Sequence, residues 1–267
     1  MKRLAIALVL LMSSASAYTQ ELYVATEPAS NMPQNALGIR LTQEAVFRNG
    51  YMAKIIPEAM LGLTKNLMIH QSLFINNVQQ NSFKTTGGAF YAKYRFLSID
   101  SMHSHFRGAV YGGYAAVNGV ISAREISLDG DNTGWQGGIV FTQLLHKLAL
   151  SGSVSYTKAL NNKKGNLLPA DFGSESLGYT LSSGLLVYPK SYRSYKQTNV
   201  NVYLEFLGKS NLGIKEHVLD VAPALQFIIN SNFRIDFSQR VQLWSSMTRN
   251  QKNLFLLRLE YNLFNLW

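Results

Sequence analysis

Apolar and polar residues alternate along most of the chain after residue 34. In the segment 232–244, Phe233, Ile235 and Phe237 alternate with Arg234 and Asp236. Successive side chains of a strand point to opposite faces, so this period of two predicts strands with one apolar and one polar face. The pattern predicts twelve strands, at residues 35–47, 52–63, 67–78, 84–97, 104–118, 134–145, 148–159, 177–189, 197–208, 217–229, 232–244 and 253–267.

The links between these strands differ in length in a regular way. Three links are tight, at residues 64–66, 146–147 and 230–231, and each follows an even-numbered strand. The two longest, at residues 119–132 and 161–177, each follow an odd-numbered strand. An even number of up-and-down strands puts both chain ends and the short links on one side, as in bacterial outer-membrane barrels. The link at residues 190–196 is longer than this scheme expects.

Nearly every predicted strand has an apolar face, and no segment with a helical period is available to cover these faces. Two folds remain: a soluble sandwich with the apolar faces inside, and a membrane barrel with the apolar faces towards lipid. The export segment described below, the even strand count and the aromatic end of the last strand favour the barrel. The predicted fold class is therefore all-β, a transmembrane up-and-down antiparallel β-barrel of twelve strands.

The last segment, NLFLLRLEYNLFNLW (253–267), closes this barrel in the prediction. Leu257, Leu259 and Tyr261 form its apolar face, while Arg258 and Glu260 lie on the other. An exposed edge strand of this kind invites aggregation in a soluble protein. Pairing with strand 1 removes the edge. Asn265 does not fit the alternation.

The N-terminus has the features of an export signal. Lys2 and Arg3 precede the apolar residues 4–12, and small residues occupy positions 15–17. The apolar run is much shorter than the roughly 20 residues that a spanning helix needs. The sequence thus predicts a cleaved signal peptide at residues 1–17, a periplasmic lead-in at 18–34 tucked into the barrel mouth, and the barrel at 35–267. The expected location is the outer membrane of a Gram-negative bacterium.

Composition narrows the possible partners. The formal net charge is +10, but the basic residues are spread over many strands and loops. This argues against nucleic acid and favours anionic lipid head groups or anionic solutes. The chain has no cysteine, so disulfides and thiolate-bound metals are excluded. We predict no cofactor.

The polar strand faces should line the lumen. Strands 1, 2, 11 and 12 form one wall of mixed charge. Strands 6–8 form a second wall of small, neutral side chains. Strands 4 and 5 add three basic residues with no acid beside them, which favours anions. The charged residues predicted to line the pore are Arg40, Glu44, Lys54, Glu58, Lys93, Arg95, Arg107, Arg234, Asp236, Arg240, Arg258 and Glu260. The neutral wall comprises Gly138, Thr142, Ser151, Ser153, Ser155, Thr180, Ser182 and Gly184.

The mixed wall has two interpretations. Its charges can pair and stiffen a filled barrel, or they can create a transverse field across a water-filled constriction that selects polar or anionic solutes. Both remain open, because twelve strands enclose more space than the eight that already suffice for a packed interior.

Two histidine-containing stretches and one acidic stretch are candidates for catalytic or metal sites. His70 and Ser72 have the spacing of an outer-membrane phospholipase pair, but no third member follows at position 84, which is lysine. His103 and His105 share a strand face without a third metal ligand in view. The acidic stretch LDGDN (128–132) suggests at most a weak cation site. We therefore predict no catalytic residues and no metal site, and an outer-membrane lipase or protease is the third alternative.

Two resemblances support the barrel. The last strand resembles the aromatic-ended signature through which the barrel-assembly machinery recognises its substrates. The stretches ELYVATEPASNMPQNALGIRL (21–41) and KIIPEAMLGLTKNLMIHQSLF (54–74) resemble outer-membrane barrels of the Bacteroidota, described as transport or phenol-degradation-pathway-type channels. The resemblance implies a channel for small polar or anionic solutes. The alternative is a non-conducting structural or surface-interaction barrel. Expected partners are outer-membrane lipid, the assembly machinery and a small solute.

Overall fold

The chain folds into a closed antiparallel β-barrel. A computed structural model describes residues 23–47, 51–77, 82–191, 194 and 196–266. Each strand pairs with its neighbours in sequence, and β12 pairs with β1. The strands are β1 Ala36–Phe47, β2 Tyr51–Gly62, β3 Leu67–Asn76, β4 Lys84–Ser101, β5 Ser104–Val117, β6 Thr133–Leu145, β7 Leu148–Leu160, β8 Glu175–Tyr188, β9 Asn199–Asn211, β10 Glu216–Ile229, β11 Phe233–Ser245 and β12 Asn253–Leu263. The predicted twelve-stranded up-and-down barrel is confirmed, and the predicted signal peptide lies outside the described residues.

The strand boundaries differ from the prediction most at β4 and β12. β4 runs to Ser101, because it stays paired with β5 as far as the hairpin pair Ser101–Ser104. β12 ends at Leu263. Asn265 adopts a left-handed conformation with φ of 57°, which asparagine tolerates better than most residues, and Leu266 N donates to Asn35 O at 3.0 Å. Asn265 therefore turns the chain out of the strand, which explains why it broke the alternation.

The two ends of the barrel are unlike. We call the turn end the one where β1 begins and β12 ends; its short links include residues 63–66, 102–103, 146–147 and 230–232. The loop end is opposite and carries the long links 118–132 and 161–174. The predicted asymmetry of the links is confirmed, including the longer link after β8 at the turn end.

Apolar side chains cover the outside of the barrel, and polar side chains fill the inside. On β11, the side chain of Leu243 is 53% exposed, whereas Arg234 and Asp236 are 1% and 0% exposed. On β7, Leu150 and Val154 face outward in the same way. A continuous apolar outer surface is costly in water and favourable in lipid. Among the described residues, no helix is long and apolar enough to cross a membrane.

Candidate functional site: the barrel lumen

Residues 23–34, which we call the lumen segment, lie inside the turn-end half of the barrel. Tyr23, Val24, Ala29 and Met32 are all almost completely buried. At the point of entry, a β-carbon on Gly62 would lie only 1.9 Å from the carbonyl oxygen of Pro33, so glycine is needed for the backbones to approach this closely. The described part of the predicted lead-in, residues 23–34, is therefore not confined to the mouth but extends across the lumen.

Glu205 on β9 holds the start of the segment. Its carboxylate, fully buried, accepts hydrogen bonds from Val24 N at 3.0 Å and Ala25 N at 2.8 Å. It also accepts from the Thr26 hydroxyl at 2.7 Å and from Ser182 on β8 at 3.2 Å. Four donors thus converge on one carboxyl group, so this buried acceptor is fully hydrogen-bonded. This contact fixes the segment against one wall.

Glu27 fixes the segment against another wall. Its carboxylate lies 3.2 Å from the Arg40 guanidinium on β1 and 3.4 Å from Lys93 Nζ on β4. Lys93 Nζ also donates to the Pro28 carbonyl at 2.8 Å. Partial burial opposes ionisation of Glu27, but Lys93 and Arg40 outweigh it and hold the pKa of this carboxyl below its usual range. Glu27 is therefore an anion in the folded protein.

The rest of the segment makes further polar contacts. Ala29 N donates to the Thr142 hydroxyl on β6 at 2.9 Å, and Arg107 on β5 donates to the Ser30 hydroxyl at 2.7 Å. The segment thus contacts strands on several sides of the barrel and obstructs the lumen at the turn end.

The mixed-charge wall is an ion-pair network. Arg40 Nε donates to Glu260 at 2.8 Å, and Arg234 lies 3.1 Å from the same carboxylate. Arg234 also lies 3.0 Å from Asp236, which is 3.9 Å from Arg258. The clustering of these charges is as predicted, and at the turn end their arrangement matches the interpretation in which charges pair and stiffen the barrel.

The predicted absence of acids beside Lys93 and Arg107 is wrong. Lys93 pairs with Glu27, an acid that comes from the lumen segment. Arg107 lies 3.7 Å from Asp100, an acid on the part of β4 that extends beyond the predicted strand end. Arg95 donates to the Lys65 carbonyl at 2.7 Å and so binds the turn between β2 and β3. Lys93 and Arg107 are therefore not the uncompensated cations on which the predicted anion preference rested.

Residues 118–132, which we call the inner loop, fold into the loop end of the barrel. Glu125 lies 2.6 Å from Arg249, 3.0 Å from Arg240 and 3.3 Å from Lys209. Burial opposes its ionisation, but Lys209 and the two arginines hold the pKa of Glu125 below its usual range. Asp220 on β10, also fully buried, accepts from Arg240 at 2.5 Å and from Arg249 at 2.6 Å. Glu125 therefore fastens the loop to three basic side chains.

The acidic stretch 128–132 faces Lys54. Lys54 Nζ donates to the Asp129 carbonyl and lies 3.3 Å from the Asp131 carboxylate and 3.8 Å from Glu44. Within the part of the chain that the structure describes, no group of three or more histidine, cysteine or acidic residues is arranged to hold a metal. The acidic stretch thus helps to dock the inner loop.

We expect Glu125→Gln to release the inner loop. The substitution removes one charge and leaves three basic side chains with less compensation in a buried site. Trypsin cleavage of the folded protein after Arg124 should become markedly faster. Glu175→Gln is the matched control, because it removes one carboxylate at the same end of the barrel, where Glu175 pairs with Lys158 and not with the Glu125 cluster. Equal cleavage rates in wild type and Glu125→Gln would contradict this role.

A chamber of about 370 Å³ lies between the lumen segment and the inner loop. This is within the range of roughly 300–1,000 Å³ of small-molecule sites. Its walls are of three kinds. Ile56, Phe74 and Leu128 form an apolar patch, whereas Ser153, Ser155 and Thr180 come from the predicted neutral wall. The predicted pore-lining residues that border the chamber are Arg40, Glu44, Glu58, Arg240 and Arg258.

The other predicted charged residues lie outside the chamber lining. Arg234, Asp236 and Glu260 are buried in the ion-pair network below it, and Lys54 lies under the inner loop. Two contributors, Glu27 and Glu125, were not anticipated, because neither lies on a predicted strand. Glu205 and Asp220 lie on the inward faces of β9 and β10, where the alternation of the sequence places them.

The candidate catalytic and metal-binding residues contact other partners in the structure. The Ser72 hydroxyl donates to Glu58 at 3.1 Å, and the His70 ring packs against Tyr91 with ring centres 5.0 Å apart. His103 stacks on His146, with ring centres 4.8 Å apart, while His105 Nδ1 lies 2.7 Å from Asp100. His103 and His105 are thus held by different partners.

Comparison with known proteins shows a shared fold. No protein-family model matches the sequence, and no curated protein matches it. The structure is similar to an outer membrane channel from Pseudomonas putida F1, with a TM-score of 0.58, 12% identity, and coverage of 90% of this chain and 100% of that chain.

Weaker matches are two proteins of Pseudomonas aeruginosa. OccD3 has a TM-score of 0.43 at 10% identity, and the superposition covers 86% of this chain and 60% of OccD3. OccK2 has a TM-score of 0.42 at 8% identity, and the superposition covers 85% of this chain and 96% of OccK2. The resemblance to Bacteroidota barrels in particular stays a prediction.

Proposed function

We propose that this protein is an outer-membrane channel for small polar solutes, in which the lumen segment must move for solute to pass. The observation that carries the proposal is the chamber between the lumen segment and the inner loop. A barrel with a purely structural role has no need of an internal cavity lined by serine, threonine and charged side chains. The similarity to an outer membrane channel supports the same function.

The apolar outer surface supports a location in the outer membrane. Ile39, Leu41, Leu150 and Val154 point away from the barrel and would contact lipid. Under this proposal the turn end is periplasmic and the loop end extracellular. The predicted signal peptide would direct export, and β12 would be recognised by the barrel-assembly machinery.

The contacts of the lumen segment support its displacement. Glu205 and Glu27 hold it by hydrogen bonds and ion pairs, and water can replace such contacts when the segment leaves. The apolar contacts of the segment are divided among three small clusters, around Tyr23, Ala29 and Met32. Their loss adds to the cost of displacement, so the segment would leave the lumen only briefly.

The chamber walls support polar solutes as cargo. Ser153, Ser155 and Thr180 offer hydroxyl groups on one side, and Arg40 and Arg258 offer cations on the other. Such a transverse arrangement selects solutes that exchange hydrogen bonds with the wall. An anion preference would come from Arg258, whose close contacts are the Thr42 hydroxyl at 3.1 Å and Asp236 at 3.9 Å.

Single-channel recording of the refolded protein in planar bilayers tests this function. We expect brief openings of a narrow pore separated by long closed periods. Arg258→Gln should lower the permeability of anions relative to cations, while Ser183→Ala, a substitution on the outer face, should leave it unchanged. A complete absence of current, together with an absence of solute uptake into liposomes, would instead support a non-conducting structural barrel.

A further inference from the structure

Arg40 and Lys93 form a buried cationic site in the lumen, and its occupant belongs to the lumen segment. Arg40 is 7% exposed and Lys93 is 1% exposed, and the Glu27 carboxylate lies between them. Two buried cations that converge on one carboxylate are the arrangement by which proteins bind small anions. In this structure the protein itself supplies the anion.

The occupant of this site can be reached by a solute. The Glu27 side chain is 34% exposed, and both Glu27 and Arg40 border the chamber. A small molecule in the chamber would therefore contact the same guanidinium that holds Glu27. No rearrangement of the barrel wall is needed for this contact.

The charge balance couples the site to movement of the segment. Ion pairs connect four cations and four carboxylates into one cluster at the turn end. The members are Arg40, Lys93, Arg234 and Arg258, and Glu27, Glu58, Asp236 and Glu260. Withdrawal of the segment removes Glu27 and leaves four cations facing three carboxylates. A buried charge without a partner is costly, so an empty site opposes opening of the gate.

We propose that the Arg40–Lys93 pair is a binding site for the carboxylate of a small solute, and that Glu27 fills it as an internal competitor. A solute carboxylate that takes the place of Glu27 restores the charge balance and allows the segment to leave. The solute would thus promote its own passage. This inference rests on the proposed function, because it names the solute class that opens the proposed gate.

The exposure of the segment can be measured without measuring current. The chain has no cysteine, so Ser30→Cys introduces a single thiol at a buried position of the segment. A thiol reagent can modify it only when the segment leaves its site. In the refolded full chain we expect sodium acetate to accelerate labelling by about tenfold over sodium chloride at equal ionic strength, a usual size for coupling between sites. Acetamide, a neutral analogue, should have no effect.

Variants of the site separate binding from simple loosening. In the Ser30→Cys background, Lys93→Met should abolish the effect of acetate. Glu27→Gln should label faster without acetate and respond at lower acetate concentrations, because the competitor is gone. Thr26→Val is the matched control: it loosens the contact with Glu205 but leaves the cationic site intact, so labelling should be faster and still respond to acetate.

Two results would overturn the inference. One is labelling that acetate and chloride accelerate equally, which would indicate general screening of charge. The other is an effect of acetate that persists in Lys93→Met and in Glu27→Gln with unchanged concentration dependence. Failure of the proposed channel function is a separate outcome. The protein would then pass no current, although acetate would still accelerate labelling of the Ser30→Cys thiol.

Discussion

Deleting residues 23–31 is expected to raise the single-channel conductance several-fold and to abolish the long closed periods. These residues include Tyr23, Val24 and Ala29, which are buried inside the barrel, and all the contacts to Glu205, Arg40 and Lys93. Their removal replaces protein with water over the turn-end half of the lumen. Every strand keeps both of its neighbours in the closed sheet, so the barrel should still fold.

A replacement of the same residues by an equally long glycine–serine stretch serves as the control for chain length. It lacks Glu27 and the buried side chains, so it should obstruct the lumen only transiently. We expect frequent, short closures with this variant. A deletion variant that folds and conducts like the wild type would show that the segment does not limit the flow of ions.

Among single substitutions in the ion-pair network, Glu260→Gln is expected to lower the free energy of unfolding most. Its carboxylate, which is almost fully buried, lies 2.8 Å from Arg40 Nε and 3.1 Å from Arg234. The substitution preserves the shape of the side chain but leaves two buried guanidinium groups without their shared anion. Breaking a buried ion pair in this way typically costs about 3–5 kcal/mol.

The free energy of unfolding in urea, measured from lipid vesicles, checks this expectation. Glu175→Gln is the matched control, because Glu175 pairs with Lys158 at the exposed loop end, at 2.7 Å. Pairs between exposed residues contribute little to stability. A loss of stability in Glu260→Gln no greater than in Glu175→Gln would contradict the structural role of the network.

The barrel could be predicted from the sequence because each strand is encoded by its own residues. Along β7 and β11, apolar residues mark the outward face and polar residues the inward face, and a short link such as residues 146–147 indicates that the chain reverses direction. Closure between β1 and β12 followed from the apolar edge that β12 would otherwise expose. The charged wall was predicted for the same reason, since Arg40 and Glu260 occupy inward positions on strands that must be neighbours.

The contents of the lumen could not be predicted in this way. Apolar and polar residues do not alternate in the lumen segment. Its backbone N–H groups at Val24 and Ala25 donate hydrogen bonds to Glu205, which is about 180 residues away in the sequence. Nothing local in the sequence links these positions. The error at Lys93 and Arg107 has the same origin, because their acidic partners, Glu27 and Asp100, come from outside the predicted strands.

A reversible disulfide lock on the lumen segment tests whether movement of this segment opens the channel. The hydroxyl oxygens of Thr26 and Ser182 are 2.9 Å apart, and the chain has no cysteine of its own. In the double variant Thr26→Cys, Ser182→Cys, a disulfide would join the segment to β8. We expect no single-channel openings under oxidising conditions and openings within minutes of adding a reductant, with either single variant unaffected by both treatments. Equal currents before and after reduction of a confirmed disulfide would show that the lumen segment is not a gate.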